Sequence, residues 1–201
     1  HILTLAENFD DFEYETICVG DLLSREVSKR SDASKKILEA RKTYSYVDDD
    51  IVIDLVTKQI NQYESEKKNW IIEGFPRTRR QAICLTKMDF IPDHIILIDV
   101  TDKLTKQRVK ENLTSEEAQV KIEEDKIEKI IEDAVVEYNL NIEEVKDIYS
   151  GMISVIDGNK RQDIVLQEIA RIIKLKVVNA PKRCPKIVLI GPPCSGKTTQ
   201  A

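Results

Sequence analysis

The stretch 186–201, KIVLIGPPCSGKTTQA, constrains the fold of this chain more than any other. Its apolar run 187–190 leads directly into residues 191–198, which fit the pattern G-x-x-x-x-G-K-[ST]. That pattern predicts a buried strand, a loop whose backbone N–H groups surround a phosphate, and a helix whose positive N-terminal end faces the same phosphate. We therefore expect Lys197 to reach the β- and γ-phosphates of a nucleotide and Thr198 to face Mg²⁺.

Apolar runs elsewhere in the chain predict the rest of the sheet. The predicted strands are 16–19, 70–73, 94–100, 152–156 and 186–190. Most segments between these strands have the apolar spacing of helices. The first predicted helix is 2–9, and the longest is 115–140, which follows a capping box at Thr114. The segment 175–185 carries two prolines and predicts a linker. Strands that alternate with helices form parallel sheets covered on both faces, so a nucleotide is expected at the carboxyl ends of the strands.

The composition argues against a general nucleic-acid or membrane binder. The 31 Lys and Arg residues are interspersed with 36 Asp and Glu residues, and the net charge is −5. The sequence contains no apolar run of about 20 residues, the length that spans a bilayer, and no signal-peptide pattern. Its four cysteines show neither metal-ligand spacing nor C-x-x-C, which is typical of reduced thiols. We therefore expect a cytoplasmic protein with no nucleic-acid or membrane partner.

Four segments together resemble the adenylate kinases and related nucleoside-monophosphate kinases. They are GPPCSGKTTQA at 191–201, VGDLL at 19–23, EGFPRTRRQA at 73–82 and IDGNK at 156–160. GFPR followed by a glutamine is far more specific than a phosphate loop alone. The resemblance implies an α/β fold of the P-loop type: three α/β/α layers around a five-stranded parallel sheet, with a small helical NMP-binding insertion and a short lid.

The resemblance also implies a division of the chain into one domain with an inverted order of segments, 1–201. The core would comprise 1–23, 48–110 and 123–201, the NMP-binding insertion about 24–47, and the lid about 111–122.

The implied activity is Mg²⁺-dependent, reversible phosphoryl transfer from ATP to AMP, giving two ADP. The residues that match the family's catalytic cations are Lys197, Arg77 and Arg108. The residues that match its ATP site are Gly191, Pro192, Cys194, Ser195, Gly196, Lys197, Thr198, Thr199, Asn159 and Lys160. Magnesium would be held by Thr198 and Glu73, mainly through water.

The implied acceptor site binds AMP. Its residues would be Val19, Gly20, Leu22, Arg25, Val47, Gly74, Arg77 and Gln81. Arg77 matches the arginine that grips the acceptor's α-phosphate, for which a planar guanidinium is well suited. Gln81 matches the side chain that reads the adenine edge, which favours AMP over other monophosphates.

Several positions depart from the family pattern. The arginine that follows GDLL is Ser24 here, and Arg25 comes one residue later, turned by about 100° on a helix. A valine, Val19, replaces the usual threonine, and Glu73 replaces the usual aspartate. The position of the second arginine at the base of the lid is Asn112, and those of the two later lid-side arginines are Glu123 and Ala134.

These lid positions carry no cation, whereas cations that neutralise the transferring phosphoryl group are worth about 10³ to 10⁵ in rate. Lys121, Lys126, Lys129 or a neighbouring chain would have to substitute. The alternative function is therefore a catalytically impaired nucleotide-binding or assembly module.

The order of segments is inverted, because the family's phosphate loop normally comes before GDLL. Joining residue 201 to residue 1 restores the usual order. Three explanations fit: a circular permutant, a fragment of a tandem array of kinase modules, or a rearranged sequence. We favour the array, since natural chain breaks prefer exposed loop tips to helices. Its neighbouring modules would then be partners, and a cilium would be a second expected location because some tandem members of the family are ciliary.

Overall fold

A parallel sheet of five strands organises the molecule. The computed structural model describes residues 14–88, 92–114, 124–174 and 186–197. The strands are β1 (Tyr14–Cys18), β2 (Asn69–Glu73), β3 (His94–Asp99), β4 (Ile153–Asp157) and β5 (Lys186–Ile190). They pair in the order β1-β2-β5-β3-β4, and every pair is parallel. The predicted helix 2–9 and the predicted linker 175–185 lie outside the described residues.

Seven helices accompany the sheet in the described ranges. They are α1 (Val19–Ser28), α2 (Asp32–Thr43), α3 (Asp49–Ser65), α4 (Arg79–Lys87), α5 (Asp102–Thr114), α6 (Glu124–Ile148) and α7 (Gln162–Lys174). The predicted P-loop fold class, α/β with a five-stranded parallel sheet, is confirmed. None of the described helices combines the length and apolar character that crossing a bilayer requires.

The predicted capping role of Thr114 is wrong. Thr114 belongs to α5, and its hydroxyl donates to the carbonyl oxygen of Lys110 at 2.9 Å. The predicted helix start at 115 lies outside the described residues, and the described part of the next helix, α6, runs from Glu124 to Ile148. A threonine hydroxyl can bond back into the turn before it as readily as it can cap the turn after it, so the local pattern does not distinguish the two. Strand ends differ from prediction by one or two residues; for example, Val19 belongs to α1 and not to β1.

Two apolar layers of the core cover the sheet, one on each face, and a smaller apolar cluster joins α5 to α6. Alternate residues of β5 belong to opposite layers. Val188 and Ile190 pack with α3, α4 and α6, whereas Ile187 and Leu189 pack with α7. All four side chains are at most 5% exposed. At roughly 1.5–3 kcal/mol for each buried aliphatic side chain, their burial contributes about 6–12 kcal/mol. The segment that carries the phosphate loop is thus a central part of the core.

The position of β5 in the sheet explains where the phosphate loop lies. The chain runs from β2 through α4 to β3 without pairing these two strands, and β5 fills the slot between them. At the amino end of the slot, Lys186 and Asp93 exchange two hydrogen bonds of 2.7 and 2.8 Å. The Lys186 ammonium also lies 2.7 Å from Glu64, which accepts a hydrogen bond from the Trp70 indole. The carboxyl end of β5 therefore delivers residues 191–197 to the sheet edge of their own chain.

Candidate nucleotide site

A cleft of about 580 Å³ opens at the carboxyl edge of the sheet. The phosphate loop, the end of β2, the start of α1 and the end of α2 form its walls. The predicted site residues that line it are Val19, Gly20, Val47, Glu73, Gly74, Arg77, Gln81, Cys194 and Lys197. The tertiary structure therefore brings the predicted donor loop and most of the predicted acceptor residues into one cleft. These two groups of residues come from different strands, helices and loops.

Two glycines shape the phosphate loop. A Cβ on Gly191 would lie 2.5 Å from the Ser195 hydroxyl oxygen and 2.7 Å from the Ile98 carbonyl oxygen, so only glycine fits there. Gly196 has a φ of +92°, which L side chains rarely adopt. Cys194 also has a positive φ, 56°, and for a residue with a side chain this region costs about 1–2 kcal/mol. The loop is held in its conformation in part by a hydrogen bond from the Ser195 N–H to the Pro192 carbonyl oxygen at 3.2 Å.

The ammonium of Lys197 turns back onto its own loop. It donates to the carbonyl oxygens of Gly191 and Pro192 at 3.0 and 2.7 Å, and to the Ser195 hydroxyl at 3.2 Å. Burial lowers the pKa of Lys197 to about 7, and the positive charge of Arg77 acts in the same direction. A phosphate beside the ammonium would oppose this shift, since an opposite charge favours the protonated form. The predicted contacts of Thr198 and Thr199 lie outside the described residues.

Arg77 also lines the cleft, from the loop after β2. Its Nε donates to the Gly74 carbonyl oxygen at 3.1 Å, and its guanidinium lies 5.6 Å from the centre of the Tyr46 ring. The N–H of Tyr46 in turn donates to Glu137 at 3.1 Å. Burial raises the pKa of the Glu137 carboxyl group. The guanidinium is thus held in place while most of its N–H groups remain for a ligand.

Gln81 is almost fully buried at the start of α4, where it is 2% exposed. Its carbonyl oxygen accepts from the Arg77 N–H at 2.7 Å, and its amide donates to Asp49 at 2.7 Å. Thr78, the N-cap of α4, also donates to Asp49 at 2.9 Å. One amide hydrogen of Gln81 remains for the edge of a base, so its predicted role as an adenine reader stays a prediction.

Two predicted acceptor residues on α1 do not line the cleft. Leu22 packs against the apolar core, and Arg25 is exposed and interacts electrostatically with Tyr63. The cause is helical geometry, because one residue along α1 turns a side chain by about 100°. Ser24, the position where the family pattern has arginine, does line the cleft.

Sequence reasoning missed Arg41 of α2. Its Nη2 donates to the Ser24 hydroxyl at 2.8 Å and to the Gly20 carbonyl oxygen at 3.3 Å, and the residue lines the cleft. The sequence indicates only that Ala40, Arg41 and Tyr44 lie on one face of a helix. It does not indicate which other elements that face contacts.

Glu73 has one carboxylate oxygen without a partner among the described residues. Its Oε1 accepts from the Cys18 thiol at 2.7 Å, while Oε2 is buried and unbonded. Burial, followed by the hydrogen bond to Glu73, raises the pKa of Cys18 to about 12, so the thiol stays protonated at neutral pH. A buried, unpaired carboxylate oxygen beside the phosphate loop fits a magnesium ion that keeps its water ligands.

Among the described residues, α5 and α6 line the cleft only with uncharged side chains. Asn112 and Ala134 line the cleft at two of the positions where the family pattern has arginine. Arg108 does not line it, and its guanidinium donates to the Cys194 carbonyl oxygen at 3.3 Å. Lys126 and Lys129 are exposed and do not line it either. Lys121 and Glu123 lie outside the described residues.

The predicted adenine-side residues of the donor lie away from this cleft, at the turn after β4. Asn159 accepts from the N–H and the hydroxyl of Thr101 at 3.2 and 3.0 Å, which joins this turn to the loop after β3. Lys160 forms an ion pair with Glu168 at 2.7 Å. Their contacts with a nucleotide stay predictions.

Comparison with known proteins decides the family. The profile described as "Adenylate kinase" matches residues 4–153, three quarters of the chain. The chain belongs to the adenylate kinase family. The matched range includes the acceptor side of the cleft, whereas β5 and the phosphate loop follow it.

Several relatives that carry the name adenylate kinase match the chain. It is 33% identical to the chloroplastic adenylate kinase of Zea mays over 98 residues, which cover 49% of this chain and 44% of the relative. It is 26% identical to adenylate kinase 8 of Xenopus tropicalis, covering 82% of this chain and 39% of the relative. It is also 26% identical to an adenylate kinase of Wolbachia pipientis wMel, covering 83% of this chain and 89% of the relative. The chain thus spans less than half the length of the first two relatives.

Proposed function

We propose that the chain is a nucleoside-monophosphate kinase that transfers the terminal phosphoryl group of ATP to AMP. The observation that carries the proposal is that the phosphate loop and the acceptor residues Arg77 and Gln81 line one cleft of about 580 Å³. If two nucleotides bound from opposite ends of this cleft, the phosphates of one would lie next to the phosphate of the other. Holding them in line is the main task of a phosphoryl-transfer enzyme, because little covalent chemistry is required of the protein.

The residues of the cleft would act by positioning and by neutralising charge. The loop amides and Lys197 would hold the β- and γ-phosphates of the donor, with the ammonium leaving the carbonyl oxygens of its own loop. Arg77 would hold the acceptor's phosphate, and the buried amide of Gln81 would contact its base. Fixed charges in a site closed to water stabilise developing charge more than the same charges would in water.

Magnesium is part of the proposal because Glu73 presents a buried, unpaired carboxylate oxygen to the cleft. No cluster of three acidic, histidine or cysteine side chains that could hold a metal ion occurs in the described part of the chain. The nucleotide phosphates would therefore supply most of the remaining ligands, as is usual for magnesium. When bound, the ion would neutralise negative charge on those phosphates.

A second candidate function is a nucleotide-binding or assembly module with impaired catalysis. The uncharged side chains of Asn112 and Ala134 favour it, because they line the cleft where the family pattern has cations. Binding would survive their loss more easily than turnover, since the phosphate loop and Arg77 are present.

A coupled assay of AMP-dependent ADP formation tests the proposal. We expect turnover in the wild type, and we expect Arg77→Ala to lower the efficiency with AMP by about 10- to 100-fold while affinity for ATP changes little. Arg79→Ala is the matched control, because Arg79 is exposed and does not line the cleft. Wild-type protein that binds both nucleotides but turns over no faster than Lys197→Met would support the impaired module instead.

Two further proposals concern the partners and the location of the chain. Neighbouring kinase modules would be partners if the chain belongs to a tandem array, and the cytoplasm or a cilium would be its location. Expression of the protein with a fluorescent tag in cells, followed by imaging and co-purification, tests both.

A further inference from the structure

The guanidinium of Arg41 lines the cleft and has no carboxylate partner among the described residues. Its two hydrogen bonds go to neutral oxygens, those of Ser24 and Gly20, and no described carboxylate lies within ion-pair distance of it. Both bonds come from the same nitrogen, Nη2, so Nη1 and Nε keep their hydrogens for other acceptors. The positive charge of Arg41 is therefore held in a defined position, and no carboxylate in the described part of the chain neutralises it.

The surroundings of Arg41 suit a phosphate. Arg77 lines the same cleft, as does the start of α1, where the N-cap residue Cys18 makes no side-chain capping bond. The first N–H groups of this ten-residue helix add partial positive charge at Gly20, the residue that also receives a hydrogen bond from Arg41. Asp21 and Glu73 are the carboxylates among the lining residues, and Glu73 is bonded to Cys18.

We propose that Arg41 binds the phosphate of the acceptor nucleotide together with Arg77. The cation on this side of the cleft would then come from α2 instead of α1, with the small side chain of Ser24 leaving room for the guanidinium and orienting it. The proposal rests on the function proposed above, since it needs a nucleoside monophosphate as the ligand. Two guanidinium groups can each form paired hydrogen bonds with one phosphate, which a single lysine cannot do.

Binding of AMP and adenosine to Arg41→Gln tests the proposal by isothermal titration calorimetry, with competition titrations for the weaker ligand. We expect the affinity for AMP to fall by about 10- to 100-fold, since one charge-assisted contact is lost. The affinities for adenosine and ATP are expected to stay within about twofold, because neither ligand places a phosphate on this side. The matched control is Arg25→Gln, on the exposed side of α1, which is expected to bind AMP like the wild type.

Moving the positive charge from position 41 to position 24 tests whether Arg41 acts through its charge on the phosphate or only through a structural role. The double variant Ser24→Arg with Arg41→Ser returns the cation to α1 and is expected to bind AMP within about fivefold of the wild type. A loss in this double variant as large as that of Arg41→Gln alone would overturn the proposal. Equal losses of AMP and adenosine affinity in Arg41→Gln would also overturn it, because the effect would then not concern the phosphate.

The other outcomes distinguish this proposal from the proposed function. If Arg41→Gln binds AMP like the wild type while Arg77→Gln does not, the role of Arg41 is refuted and the proposed function stands. If the wild type binds ATP but no AMP, both fall. Thermal unfolding of each variant identifies any change that arises from lost stability.

Discussion

Strand β5 offers the sharpest test of the fold, because its place in the sheet decides whether the phosphate loop belongs to this chain's own cleft. Leu189 is fully buried between β2 and β3 and packs with Ile71 and Ile96 in the layer under α7. We expect Leu189→Ala to lower the free energy of unfolding by about 2–5 kcal/mol, from lost apolar burial and the cavity that remains.

The matched control makes the same chemical change at an exposed position. Leu140, on α6, is 70% exposed, so Leu140→Ala is expected to change the free energy of unfolding by no more than about 0.5 kcal/mol. For a protein of this size each kcal/mol corresponds to about 2–4 °C in Tm, so Leu189→Ala is expected to melt roughly 4–20 °C lower.

The measurement is urea unfolding at pH 7, followed by circular dichroism, with calorimetry for Tm. Equal effects of the two substitutions would show that β5 does not occupy the slot in its own chain, and the cleft described above would then lack its phosphate loop. If Leu189→Ala does not fold, Leu189→Met keeps most of the volume and is expected to cost less than about 1.5 kcal/mol.

Two more predictions concern the charge and the thiol of the cleft. Asn112 is exposed and lines the cleft. Asn112→Arg is expected to raise turnover about tenfold or more, because it adds a cation beside the transferring phosphoryl group. The control, Gln107→Arg, lies on the same helix outside the cleft and is expected to leave turnover unchanged. Unchanged kcat in Asn112→Arg would contradict the view that missing lid charge limits catalysis. The second concerns Cys18, whose pKa of about 12 lies above that of an ordinary thiol, so less thiolate exists at any pH below that value. Iodoacetamide labelling followed by peptide mass spectrometry is expected to modify it more slowly than a free cysteine at pH 8, and labelling at the rate of free cysteine would refute the buried contact with Glu73.

The elements that sequence predicts best are those whose signal is local. The strand 186–190 and the glycines of the phosphate loop agree with the structure residue by residue, because an apolar run and a tight turn depend on neighbouring positions. The parallel arrangement follows from the alternation of strands with helices. Thr114 shows the limit of such reasoning, since the same local pattern fits either the end or the start of a helix.

The candidate site depends on contacts between residues far apart in the chain. The sequence predicts Arg25 in the cleft, yet the cation that lies beside Ser24 there is Arg41, from 17 positions further along the chain. The sequence predicts that Gln81 faces a base, and its amide also bonds to Asp49 across 32 positions. The periodicity of the sequence cannot predict these contacts, because they result from how the helices pack on one another and on the sheet.

The sequence by itself determined that this chain forms a parallel α/β sheet with a phosphate loop after an apolar strand, because those features arise from backbone preferences and apolar periodicity over a few residues. Only the tertiary structure decided that β5 fills the slot between β2 and β3, and that Arg41 and Arg77 share a cleft with Lys197. The physical reason is that the hydrophobic effect is non-directional. The apolar residues of β5 require that the strand be buried, but its position between β2 and β3 depends on how it packs with the rest of the chain.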